Sequence, residues 1–140
     1  MKTIVVAVDG SDIARKATDW AAALAGPAKA ELLLVHCIVP VVYPAYMAFP
    51  SWADLEAIVA KDAEAMLAAE AKRVNATGLK VRTEVARGPA AETIAEIAVR
   101  EAADLVVVGS HGRGVVGRVL LGSVAHRLLQ LCARPVTVVR

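Results

Sequence analysis

The chain has little of several things that mark out function classes. Only two of its 140 residues are cysteine, Cys37 and Cys132. Neither has a Cys or His at metal-ligand spacing, which argues against a zinc site or a disulfide scaffold and fits a reducing cytoplasm. Aromatics are scarce too. Four of the five, Tyr43, Tyr46, Phe49 and Trp52, crowd one proline-rich stretch with no Lys or Arg among them, so the interleaved pattern of a nucleic-acid module is missing. His126 has no ligand-spaced partner, and no His-based metal site is expected.

Charge is missing in two places. Residues 32–53 hold no Asp, Glu, Lys or Arg, a length that would suit a membrane span. Pro40, Pro44 and Pro50 would break such a helix three times, so a buried strand running into an apolar loop is expected, with no membrane partner. The opening apolar run TIVVAV is cut off at Asp9, short of a signal core. Acidic residues stop at Asp104: residues 105–140 carry Arg113, Arg118, Arg127, Arg134 and Arg140 and no acid. The formal net charge of +2 thus conceals a basic last quarter, which suits an anionic ligand there.

What is present is apolar. A hydrophobic fraction of 57% against 21% charged residues implies one well-buried domain over residues 1–140. Four short β-branched runs, at 3–8, 31–37, 104–109 and 135–140, suit strands covered on both faces. A fifth run, 79–85, alternates apolar and charged residues and suits a wetter edge strand. Helical spacing lies between them. Ile13, Ala17, Trp20, Ala21 and Leu24 recur until Gly26-Pro27 stops the pattern. Leu55, Ile58, Val59, Ala63, Met66, Leu67 and Val74 form one face after a Ser51 cap, and Gly78 ends that helix. Pro89 starts a third helix, with Ile94 and Ile97 inward, and Ser123 a fourth, with Val124, Leu128 and Leu131 inside. The order β-α-β-α-β-α-β-α-β predicts an α/β fold, a doubly wound, Rossmann-like five-stranded parallel sheet. Ligands of such sheets bind beyond the carboxyl ends of the strands.

The stretch GSHGRGVVGRVLLGS, residues 109–123, fits three phosphate-binding templates. Gly112, Gly114 and Gly117 spell G-x-G-x-x-G, but the acidic residue that should follow about 20 positions on to hold a ribose is absent. Gly117 and Gly122 spell part of a P-loop that lacks its lysine. The third spacing joins Gly109, Gly112, Gly122 and Ser123. Here Gly109 leaves room at a strand end, Gly112 allows close approach to a phosphate, and Gly122-Ser123 opens a helix whose free N–H groups favour an anion. Asp9, at the first strand end, suits either ligand contact or a helix cap beside Ser11. His111 suits phosphate contact or plain exposure, and His36 a structural role.

These residues carry a resemblance. The spacing G-x2-G-x9-G-Ser at Gly109, Gly112, Gly122 and Ser123, with IVVAVDGS at the start, LLLVHC in the second strand and RPVTVV at the end, resembles the nucleotide-binding branch of the universal stress proteins. The resemblance implies an ATP-binding subunit, with AMP or ADP as alternatives and Mg²⁺ alongside, often a homodimer joined through the last strand. Carried over by position, it implies that Ala7, Val8, Asp9 and Cys37 line the adenine and ribose pocket. Val108 and Gly109 would then meet the ribose side, and Gly112, Arg113, Gly122, Ser123 and Val124 the phosphates. Ala125 stands where Ser or Thr often follows the motif, and Cys37 where Val is usual.

The phosphate-side segment has no Asp or Glu to hold Mg²⁺ or orient water, so at most slow ATP hydrolysis is expected, not an enzyme with efficient turnover. The apolar edge of PVTVVR predicts pairing between two copies. Two functions compete: an adenine-nucleotide-binding stress or regulatory protein, and a protein of the same fold that works through its dimer face without nucleotide. A phosphoreceiver would need an acceptor Asp at the third strand end, where Ala86 and Arg87 stand.

Overall fold

The computed structural model describes residues 1–42, 52–75, 78–113 and 120–140. Its five strands are β1 (Thr3–Ala7), β2 (Glu31–Ile38), β3 (Val81–Arg87), β4 (Leu105–Gly109) and β5 (Val136–Val139). They alternate with α1 (Asp12–Ala28), α2 (Trp52–Asn75), α3 (Ala90–Arg100) and α4 (Ser123–Leu131). All pairings are parallel, in the order β3-β2-β1-β4-β5. The predicted doubly wound sheet is the observed one.

Side chains alternate across the pleat, and the sheet therefore has two cores. Ile4, Val6, Leu32, Leu34 and Val107 face Ala17 and Ala21 of α1 and Leu67 and Val74 of α2. Val5, Leu33, Val35, Val106 and Val108 face Ile94, Ile97 and Ala98 of α3 and Leu128 of α4. Burial on both faces is why the inner strands are continuous apolar runs. β3 and β5 are the edges, and both are only partly covered.

Three details differ from the sequence reading. First, α1 does not stop at Gly26-Pro27. Pro27 sits in its last turn, where one N–H bond is forgone, and the helix closes when Lys29 turns left-handed at φ 51 and the Ala30 N–H donates to the Ala25 carbonyl at 3.0 Å. Second, the face read for α2 is only partly inside. Leu55, Ile58 and Val59 are exposed while Ala63, Leu67 and Val74 are buried. A 24-residue helix is about 36 Å long, whereas the seven- and eight-residue strands beneath it reach only about 25 Å, so its first turns overhang the sheet. Third, Trp20 is exposed, because α1 approaches the sheet on its alanine stripe. The Ser51 cap, most of the aromatic stretch, Gly114 and Gly117 lie outside the described residues.

Candidate functional site

The chain leaves β1 toward opposite edges of the sheet, through β2 on one side and β4 on the other. Neighbouring loops therefore diverge and leave a crevice beyond the carboxyl ends. A cavity of about 330 Å³ opens there, within the range of small-molecule sites. Of the eleven residues singled out in sequence, ten line it: Ala7, Val8 and Asp9 after β1, Cys37 on β2, Val108 and Gly109 on β4, Gly112 beyond, and Gly122, Ser123 and Val124 at the start of α4. Arg113 does not.

Asp9 is held in place. Its Oδ1 accepts from the Ser11 N–H at 2.9 Å and from the Ser11 hydroxyl at 2.5 Å, and Ser11 Oγ in turn accepts from the Ala14 N–H at 3.2 Å to cap α1. The two roles weighed for Asp9 are thus compatible, since one carboxylate oxygen orders the cap while the residue also borders the cavity. The Oδ2 lies 2.9 Å from where a side chain on Gly112 would begin, so Gly112 is glycine to let this loop close on Asp9.

Gly109 has a different reason from the one its sequence position suggests. An added Cβ would meet Ile13 Cγ2 at 3.1 Å, so the missing side chain makes room for α1 rather than for a ligand. Gly122 donates its N–H to the Ser110 carbonyl at 2.6 Å and begins α4. The N–H groups of Ser123, Val124 and Ala125 in the first turn have no carbonyl within the helix to bond, and they border the cavity with the positive end of the helix dipole.

Two histidines complete the wall. The His36 Nδ1 lies 2.7 Å from the Val8 carbonyl, which only accepts, so this nitrogen carries the proton. The Val8 N–H donates to Val35 O at 2.8 Å, extending the β1–β2 pairing one step past β1. His111 is half-buried, with Nδ1 3.0 Å from Ser110 Oγ. Burial, aided by the charge of Glu84, pushes the Cys37 thiol up to about 11, so it remains a neutral S–H there. Val35, Ala90 and Ile94 also line the cavity, and sequence reasoning missed them. Ala90 and Ile94 share one face of α3 in a pattern indistinguishable from plain core.

The described cations of the basic last segment do not gather at the cavity. Among the described residues no Arg or Lys lines the cavity. Arg127 pairs with Glu92 at 2.8 Å, and Arg113 points behind the β1–α1 turn, its Nη2 3.8 Å from Met66 Sδ. Positive potential at the cavity is supplied by backbone N–H groups, with apolar walls from Val8, Val35, Ile94 and Val108 and a carboxylate at Asp9. No group of three or more His, Cys, Asp or Glu suited to a metal occurs among the described residues. No described helix is long and apolar enough to cross a membrane.

The fold and the sequence have counterparts among known proteins. The chain is 38% identical over 144 residues to the universal stress protein in the QAH/OAS sulfhydrylase 3' region of Thermus aquaticus, covering 99% of this chain and 98% of that protein. Its fold is similar to that of universal stress protein UspA from Lactobacillus plantarum, with a TM-score of 0.88, 26% identity and coverage of 99% and 97%. It is also similar to a universal stress protein solved in complex with cAMP, with a TM-score of 0.77, 28% identity and coverage of 99% and 97%. The model of the universal stress protein family matches residues 1–140, and the chain belongs to that family.

Proposed function

We propose that the cavity binds an adenine mononucleotide, ATP with Mg²⁺ in the first instance and AMP or ADP as alternatives, and that the protein acts as a nucleotide-dependent stress or regulatory protein of the cytoplasm. The observation that carries this is one cavity with three chemistries in line. Apolar side chains suit a flat base, the Asp9 carboxylate suits ribose or base donors, and the open N-terminus of α4 suits phosphate. The similar protein solved with cAMP supports an adenine ligand. Ser123 offers a hydroxyl toward phosphate or Mg²⁺, and Mg²⁺ would neutralise part of the phosphate charge. Turnover is at most slow, because no second carboxylate joins Asp9 among the described lining residues.

Two copies pair through the free edge of β5, a four-residue strand with half-buried side chains. Sedimentation at micromolar concentration should show dimer, and monomer alone would overturn that part. Calorimetry with ATP and Mg²⁺ tests the ligand. Saturable heat from the native protein, lost in Gly122→Val, is the expected result. No heat from either protein at sub-millimolar ATP would leave the same-fold interaction protein as the better reading.

A further inference from the structure

Arg113 follows Gly112, yet the two residues end on opposite sides of the same turn. Gly112 lines the cavity, and a Cβ on it would begin 2.9 Å from the Asp9 Oδ2. Arg113 passes behind, and its Nη2 occupies the place where a side chain on Gly10 would begin, within reach of Met66 Sδ on α2. Gly10 itself has φ +80, a left-handed conformation that L side chains rarely adopt. A second cavity, lined by Gly10, Ser11, Arg15, Met66, Glu70 and Arg113 among others, lies on this side of the turn. The guanidinium has no carboxylate partner among the described residues, so what it contacts is the turn and the thioether.

We infer that Arg113 is a positioning residue for the nucleotide cavity: laid over Gly10 and against Met66, its guanidinium clamps the β1–α1 turn and keeps Asp9 between Ser11 and Gly112, without touching phosphate. The functional half of this inference rests on the nucleotide reading above; the contact itself does not. The turn is short and carries left-handed backbone at Gly10, and its one carboxylate is shared between a cap on one side and the cavity on the other. Releasing the clamp lets the turn move as a unit, and Asp9 loses its fixed position at the cavity rim.

Affinities of native protein and Arg113→Ala for adenosine, AMP and ATP separate positioning from phosphate contact. A positioning residue predicts the same loss for all three ligands, about three- to tenfold, since Asp9 serves the nucleoside part common to them. A loss absent for adenosine and growing with phosphate number would overturn the inference and make Arg113 a phosphate ligand. A ligand-free double-mutant cycle tests the contact. Gly10→Ala suffers backbone strain and collision with two neighbours, the guanidinium and the Met66 Sδ 2.9 Å from the added Cβ, so its effect on the unfolding equilibrium should shrink about fivefold when Arg113→Ala removes the first of them, with the strain and the thioether contact left in place. Additive effects would overturn the clamp even if nucleotide binds. Failure of the native protein to bind any of the three ligands would overturn the positioning role together with the nucleotide reading, while the cycle still decides the contact.

Discussion

A Cβ on Gly122 would stand 2.8 Å from the Cα of His111 and 3.1 Å from the carbonyl oxygen of Ser110, which already accepts the Gly122 N–H. Both neighbours are backbone or close to it, so neither gives way cheaply. Gly122→Ala is therefore expected to cost about 1–3 kcal/mol of stability and to push the first turn of α4 away from the loop at 110–112. Thermal melts together with ATP titration check this; an Ala variant with native stability and native affinity would contradict the close approach.

Gly109 tests a different contact. Because its Cβ would strike Ile13, Gly109→Ala should destabilise by about 1–2 kcal/mol, and Ile13→Ala, itself a cavity-forming change, should relieve part of that cost when the two are combined. Denaturant unfolding of the singles and the pair is the measurement. A strictly additive pair would mean that the glycine serves something other than α1 packing.

Cys37 should be unreactive. Its rise from an ordinary 9.0 to about 11 leaves about a hundredfold less thiolate at neutral pH. In a Cys132→Ser background, alkylation at pH 8 should thus run about a hundredfold slower than in unfolded protein. The sign for stability follows. The raised value favours the folded state below pH 9, and that contribution is lost as pH climbs through 11. Rapid alkylation of the native protein would show that the thiol is not buried as described.

Acid acts through surface carboxylates. Arg82 and Arg100 hold Glu101 below its ordinary 4.5, and Arg127 does the same for Glu92. The N–H groups of Lys2 and Thr3 hold Asp104 below 3.8. Depressed carboxylates contribute stability above these ordinary values and lose it as pH falls through the lower folded ones. Urea midpoints should stay level from neutral pH to about pH 5 and decline below about pH 4. Glu101→Gln should lower the plateau slightly and flatten the decline, by a small amount because these pairs face solvent.

How much of this was legible in the sequence depends on the kind of signal. Strand runs buried on both faces leave a dense apolar record, and with the helix periods between them they predicted the sheet. The strand ends carried part of the cavity too, since Asp9, Cys37 and Gly109 line it where the rule that such sites lie beyond carboxyl ends puts them, while Ala86 at the third strand end does not. Direction was not legible. Nothing in GSHGR says that Arg113 turns behind Gly10, because a long side chain beside a glycine-rich loop has two sides to choose from and only packing against Met66 decides. Gly109 misled for a similar reason, for the sequence shows that a side chain is missing but not which neighbour fills the space. The overhang of α2 was invisible because an apolar face has the same period whether or not a sheet lies beneath all of it.

The position of β1 has a kinetic consequence. Its partners are Leu32, close in the chain, and Leu105, far from it, so Ile4 joins the two halves of the sheet only after the intervening residues have folded back. The cavity needs residues from the first strand, the fourth strand and the last helix together, and no early fragment contains it. A ligand of this cavity is then expected to meet only a chain that has passed its folding barrier, because non-local pairing closes late. If the cavity takes the proposed nucleotide, saturating ligand should slow unfolding and leave the refolding rate unchanged, which stopped-flow denaturant jumps with and without ligand measure directly.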